Sequence, residues 1–327
     1  MSATPDVRRI ANRRAALHRE YLQVRGDCAL VTATDSRHAP YLFNAMASIH
    51  ERFPEHPCLE IFDLGMSGSQ KQELSRVDWA RVRSIEPFVS HWKRNWSWKP
   101  YILLQVPQRY VFYFDASNIV LFRSLALWFR IIARQGYLLF ENGQRLCQTT
   151  PPGYWELFGG RLEEFSDAPT FGAGLMGFDR DTRANTAIRE VLERTIEGWT
   201  LGCSPGETRR AYDRSVVRDC ECFRADQTLF NLAFRKHFGA SLVLRNELKY
   251  CGHGGPHDHP RQFLWYSRRR RDSLIYFWRP IGEARMVFAF NRLTSYALIT
   301  LRDFAITCFR RYTEWRCRAR SRGREST

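Results

Sequence analysis

Residues 110–118 read YVFYFDASN, and the reading of this stretch decides the fold. Tyr110, Val111, Phe112, Tyr113 and Phe114 are aromatic or β-branched without alternation, the pattern of a central strand covered on both faces. The run stops at Asp115. An acid there falls at the carboxyl end of the strand, where open α/β sheets keep their ligand crevice. Ile119, Val120 and Leu121 resume the apolar pattern, so the polar step at Asp115, Ser117 and Asn118 is a local interruption. The alternative is a surface turn that uses Asp and Asn for local hydrogen bonds. Against it, a strand this apolar needs covering layers and does not end in bulk solvent.

Working outward, residues 28–33 (CALVTA) form a short apolar strand, followed by a polar loop over 34–38 and a helix over 41–53. Strand, polar loop and helix open a nucleotide-binding α/β unit. There is no glycine-rich phosphate fingerprint, which argues against a dinucleotide fold and a P-loop. Residues 59–64 give a second strand, 70–80 a short helix and 82–85 a third strand, so the alternation predicts βαβαβ. The cluster HWKRNWSWK at 91–99 interleaves three tryptophans with three cations, a composition that suits stacking on nucleic acid or walling a nucleotide pocket. Lys99 then stands at the start of a helix.

Beyond the central stretch, 125–133 reads as a helix, 137–140 as a strand and 148–161 as a long Gly/Pro loop of the kind that serves as a lid or binding loop. FGAGLMGF at 171–178 carries three glycines, so backbone comes close to something there. A helix over 182–198 has one apolar face and reads as structural, and 224–238 (RADQTLFNLAFRKHF) reads as an amphipathic helix with Asp226 and Gln227 at its entry, where Asp226 suits an N-cap and, since a helix start often faces a crevice, a ligand-binding role as well. CGHGGPHDHP at 251–260 is rich in metal-ligating residue types. Its spacing, with Cys220 and Cys222, matches no standard zinc pattern.

Length and composition bound the class. A chain of 327 residues with 44% hydrophobic residues buries a sizeable core, and no apolar run is long enough to span a bilayer. With early arginines and no apolar signal core, a cytoplasmic protein is expected. Nine irregularly spaced cysteines fit free thiols. The net charge of +16 is concentrated at the end: residues 261–327 hold sixteen arginines and no lysine against five acids. Charge placed there suggests attraction to an anionic membrane surface, through an interfacial helix over 286–315 and an Arg-rich tail. A core-packed helix with a disordered tail is the alternative. The same placement argues against nucleic acid as the main partner.

The order of these pieces resembles family 8 glycosyltransferases of the GT-A fold. The resemblance rests on the strand ending at Asp115, on Thr32, Thr34 and Tyr41 in the first strand, loop and helix, and on Lys99 before the acidic strand. It continues with FGAGLMGFD at 171–179, the Asp226-Gln227 pair and the His-containing loop from Cys251. It implies an α/β fold with a GT-A-like, Rossmann-like mixed sheet flanked by helices over 28–265, preceded by an N-terminal helix (1–27) and followed by a basic helical extension (266–327). It also implies hexosyltransferase-like, retaining transfer of a sugar from a nucleotide-diphosphate donor, a UDP-sugar first, to a glycan, glycolipid or protein acceptor. In the implied site Asp115 and His253 hold Mn²⁺ or Mg²⁺, and Lys99 neutralises phosphate. Thr32, Thr34, Tyr41, Ser117, Asn118, Gly172, Ala173 and Gly174 contact the donor, Tyr41 covering its base, and Asp226 and Gln227 act on the sugar. Two departures stand out: Ser117 replaces the second acid of the family's Asp-x-Asp pair, and Gly172 replaces its Asn. A nucleic-acid-binding protein and a catalytically inactive scaffold of the same fold are the rival readings.

Overall fold

The computed structural model describes residues 5–120, 125–159, 161–202, 223–246, 251–252 and 264–266. The chain opens with helix α1 (Pro5–Val24), strand β1 (Cys28–Asp35), helix α2 (Ala39–Arg52), β2 (Leu59–Gly65), the short α3 (Gly68–Leu74) and β3 (Ala80–Ser84). Then come α4 (Trp98–Gln105), β4 (Tyr110–Phe114), β5 (Asn118–Val120), α5 (Leu125–Gln135), β6 (Tyr137–Arg145) and α6 (Leu146–Thr149). The last elements are β7 (Pro169–Asp179), α7 (Arg183–Ile196), α8 (Asp226–Phe238), β8 (Arg245–Asn246), β9 (Cys251–Gly252) and β10 (Leu264–Tyr266).

Seven strands make the main sheet in the order β3-β2-β1-β4-β7-β6-β8. β1 to β4 run parallel to one another, and β7 runs antiparallel to both β4 and β6. The mixed α/β sheet flanked by helices is therefore present as expected. β4 lies between β1 and β7, and all five of its residues are buried, which explains its unbroken apolar sequence. A second sheet, β5-β10-β9, stands just beyond the end of β4.

Two cores cover the faces. Phe112, Phe114, Leu30 and Leu138 pack with α2 and α5 on one side. Val111, Tyr113, Val31 and Leu139 pack with α4, α7 and α8 on the other. Alternation along each strand sends successive side chains into opposite cores. Gly177 of β7 is required by this packing, because a Cβ there would stand 2.4 Å from Ile132 of α5.

Several elements differ from expectation. α3 ends at Leu74 instead of 80, and β3 starts at Ala80, two residues early. β6 continues to Arg145 because its polar second half pairs with β7 across irregular register. α8 is not amphipathic: every residue from Thr228 to Arg235 is buried, since the helix packs against both α7 and the sheet. α1 is not merely solvated either, because Tyr21 packs on Phe53 and Phe129 and donates to the Glu55 carbonyl. Cys28, Cys58 and Cys147 are free thiols. Residues 253–260, Cys220, Cys222 and the 267–327 segment lie outside the described residues.

The far end of α2 holds a titratable group that couples folding to pH. His56 is 3% exposed, its Nδ1 lies 2.9 Å from the Pro57 carbonyl and its Nε2 lies 3.1 Å from His50 Nδ1. Burial pushes its imidazole down to about 4. The unfolded chain therefore binds a proton between pH 6.5 and 4 that the native chain refuses. The resulting stability is complete above about pH 6.5 and is lost as pH falls towards 4, by about 3 kcal/mol. Urea midpoints measured between pH 7 and 4.5 should fall accordingly, and the His56→Asn variant should show a visibly flatter profile.

Candidate functional site

The site is built where β4 ends. Tyr113 and Asp115 are two residues apart, so the pleat sends both to the same face. The Tyr113 hydroxyl donates to Asp115 Oδ1 at 2.6 Å. Asp115 N–H donates to the Gly174 carbonyl at 2.8 Å, which ties the end of β4 to β7. Gly174 has a steric role here: a Cβ on it would lie 2.7 Å from Asp115 Oδ2. The carboxylate remains 25% exposed, oriented and open to the cleft.

Lys99 enters from the first turn of α4, and its side chain is 3% exposed. Its ammonium lies 2.9 Å from Asp226 Oδ2 and 3.8 Å from Asp115 Oδ1, and it donates to the Ala173 carbonyl at 3.1 Å. It also sits 5.1 Å from the centre of the Tyr113 ring. One cation thus bridges the acids of β4 and α8. Burial raises the Asp226 carboxyl above the ordinary range, while the Lys99 charge and hydrogen bond oppose that rise. The ion pair holds the carboxylate in place, because a buried carboxylate is retained only where a cation meets it.

Asp226 is not an N-cap. Ala225 takes that position with φ 46°, a left-handed conformation for a residue that is fully buried. Such backbone costs of order 1–3 kcal/mol and persists only where the surroundings enforce it. The enforcement is visible in Asn231, which accepts from Phe171 N–H at 2.8 Å and donates to the Phe171 carbonyl at 2.9 Å. This two-way clamp fixes α8 on β7 and aims Asp226 and Gln227 at the sheet's end. Gln227 Nε2 is buried and has no hydrogen-bond partner among the described residues, although the side chain borders the cleft. That leaves a directed donor.

All of these groups face one cleft of about 890 Å³. Thr34, Tyr41, Lys99, Asp115, Ser117, Ala173, Gly174, Asp226 and Gln227 line it, so the sequence-predicted residues converge. Thr32, Asn118 and Gly172 do not. Thr32 is fully buried within β1, and Asn118 turns back to donate to the Asp115 carbonyl at 2.9 Å. Asn118 positions Asp115 and does not face the cleft. Gly172 lies two residues back along β7, while Ala173 and Gly174 form the wall.

Cleft residues beyond those expected include Asp35 at the end of β1, Arg37 and His38 in the turn after it, Lys93 and Asn95 before α4, and Arg224 before α8. Asp35 accepts from His38 N–H at 2.8 Å and lies 2.7 Å from its Nδ1. Burial works to raise its carboxyl, but these hydrogen bonds outweigh that and hold it below the usual value. In the sequence, the polar loop over 34–38 and the tryptophan-cation cluster at 91–99 signal the first five of these, and nothing signals Arg224.

The donor set suits an oxygen-seeking divalent ion in part. Asp115 offers an oriented carboxylate whose other oxygen is held by Tyr113, as metal-binding carboxylates are, and Ser117 adds a hydroxyl. No group of three metal-ligating acid, His or Cys side chains occurs among the described residues. His253 lies outside them.

No protein-family model matches this chain. No curated protein matches it. Solved structures do align. The galactosyltransferase LgtC in complex with donor and acceptor sugar analogs aligns with a TM-score of 0.49 and 13% identity, over 81% of this chain and 95% of that one. WbbM, a bifunctional glycosyltransferase, aligns at 0.46 and 10%, over 82% of this chain and 44% of that one. The glycosyltransferase GlyE of Streptococcus pneumoniae TIGR4 aligns at 0.44 and 14%, over 85% and 63%. These are similar chain paths.

Proposed function

We propose that the chain is a glycosyltransferase that moves a sugar from a nucleoside-diphosphate donor, a UDP-sugar first, to a hydroxyl of a glycan, glycolipid or protein. The observation that carries this reading is the Lys99 bridge between Asp115 and Asp226, at the carboxyl end of β4 and facing an open cleft. Arg37, Lys93 and Arg224 border the same cleft and supply cations for a diphosphate. Tyr41 from α2 offers a ring for the base. The buried amide of Gln227 and the carboxylate of Asp226 are a donor and an acceptor for sugar hydroxyls.

In the transfer, the acceptor oxygen bonds to the anomeric carbon and the bond from that carbon to the β-phosphate oxygen breaks. Its electron pair stays on the leaving nucleoside diphosphate, and the hydroxyl proton passes to that phosphate oxygen. With a retaining outcome, the stereochemistry the resemblance implies, the acceptor enters on the face the diphosphate leaves. Asp115 and Ser117 would hold Mn²⁺ or Mg²⁺, which when bound neutralises charge on the diphosphate. His253 is a further candidate ligand. It is given by the resemblance alone and lies outside the described residues.

The test is a panel of nucleotide sugars with and without Mn²⁺, reading release of nucleoside diphosphate and the thermal shift caused by UDP. Turnover of at least one donor together with stabilisation by UDP is expected. Absence of both would sink the proposal, while binding without turnover would favour the inactive scaffold. Among the described residues no helix is long and apolar enough to cross a membrane. Attraction to an anionic surface rests on the arginines of 261–327, and binding to phosphatidylserine vesicles that declines with salt would support it.

A further inference from the structure

The HWKRNWSWK segment places its three tryptophans in three different settings. Trp92 packs at the margin of the core that contains α4, and Trp98 is buried in it. Trp96 is 38% exposed and borders the cleft. Its position is built. Asn95 and Trp96 adopt consecutive left-handed conformations, φ 48° and 57°, which non-glycine residues rarely hold. Side chains on either side anchor the loop to the end of α7 and the turn after it. His91 Nε2 lies 2.8 Å from the Thr195 carbonyl, Asn95 Nδ2 donates to the Thr200 carbonyl at 3.0 Å, and Ser97 Oγ lies 2.5 Å from Thr200 Oγ1. A large indole is thereby held part-exposed at a cleft wall, where burial alone would have drawn it inward.

The side from which it enters matters. Tyr41 comes from α2, on the face covered by α2 and α5, whereas the Trp96 loop belongs with α4 and α7 on the opposite face. Asp115, at the end of the sheet, lies between these layers. If the base stacks near Tyr41 and the diphosphate meets Lys99 and Asp115, the far wall falls to the other substrate.

We infer that Trp96 is the acceptor platform: its indole stacks on the apolar face of a pyranose ring of a carbohydrate acceptor, and so selects a sugar over a peptide or lipid hydroxyl. This inference rests on the glycosyltransferase reading and narrows its acceptor to a glycan. Pyranosides with several axial C–H bonds on one face, such as β-galactosides and β-glucosides, present the apolar patch that an aromatic ring can cover. A hydrogen-bonding group for the ring's rim is at hand in the adjacent Asn95, which lines the same cleft.

The experiment uses the full chain with methyl β-D-galactoside and methyl β-D-glucoside as probes, in the presence of UDP. Saturation-transfer NMR should show the H1, H3 and H5 protons of a probe in contact with the wild-type protein. The signal should be lost in Trp96→Ala and largely restored in Trp96→Phe, with UDP affinity by calorimetry unchanged within about twofold in both. In the transfer assay the acceptor KM should rise by about tenfold or more in Trp96→Ala, while hydrolysis of the donor to water persists. Unchanged glycoside contact in Trp96→Ala, or no contact in the wild type, overturns the inference and leaves the glycosyltransferase reading intact. A Trp96→Ala variant that loses UDP affinity also overturns it, since the indole would then serve the base. Wild-type protein that neither binds UDP nor turns over any donor would bring down the underlying reading instead.

Discussion

Lys99→Met is expected to abolish sugar transfer and to lower stability in a way that depends on pH. The ammonium joins Asp226, Asp115 and the Ala173 carbonyl. Removing it strips cationic charge from the place where a diphosphate would leave, an effect of the size seen when a transition-state charge partner is lost, about 10³-fold in turnover. It also leaves Asp226 buried with its main counter-charge gone. Breaking one partner of a buried pair costs about 3–5 kcal/mol at neutral pH. Because burial already raises the Asp226 carboxyl, the variant should take up a proton there as the pH falls, and its deficit against wild type should shrink in acid. Asp226→Asn added to Lys99→Met should recover much of the stability at pH 7 and none of the activity. Urea denaturation at pH 5 and pH 7.5, with donor turnover, checks both. A Lys99→Met protein with wild-type turnover would remove Lys99 from the chemistry altogether.

Ser117→Asp is expected to strengthen divalent-ion binding. The native cleft presents a single carboxylate at the end of β4, fixed by Tyr113 and given room by Gly174. A hydroxyl at 117 is a weak ligand for Mn²⁺, and a second carboxylate there adds a formal charge to an oxygen donor set. Calorimetry of Mn²⁺ with UDP present should show affinity rising by at least about tenfold in Ser117→Asp. Asp115→Asn should eliminate binding and reduce turnover by about 10³-fold or more while leaving the fold intact, since the amide still accepts the Tyr113 hydroxyl. Should Ser117→Asp bind no more tightly than wild type, Ser117 does not face the ion. Asp115→Asn with full turnover would remove Asp115 from the mechanism.

How far the sequence foretold the site depended on which residues act through local pattern. Asp115 was visible because it interrupts an unbroken apolar strand, and Lys99 because it opens a helix. Sequence alone leaves Asp226 open to a cap and to a ligand-binding role; Ala225 takes the cap position, in a conformation that no local preference suggests. The resemblance puts Asn118 on the donor. The turn instead folds its amide back onto the Asp115 carbonyl. Asn231, which holds α8 on β7, carries no signal in sequence at all, since its two partners lie on the backbone of Phe171, sixty residues earlier.

The sequence by itself determined the buried strand of 110–114, the βαβ alternation before it and the acid at its end. These follow from hydrophobic period and turn chemistry, which are properties of neighbouring residues. Only the tertiary structure decided that Lys99 joins Asp115 to Asp226, that Gly174 is bare to make room for a carboxylate, and that Trp96 stands exposed at the cleft while Trp98 beside it is buried. Each of those depends on which strands lie side by side and which helix covers which face. Contacts of that kind join residues far apart in the chain, where periodicity carries no information.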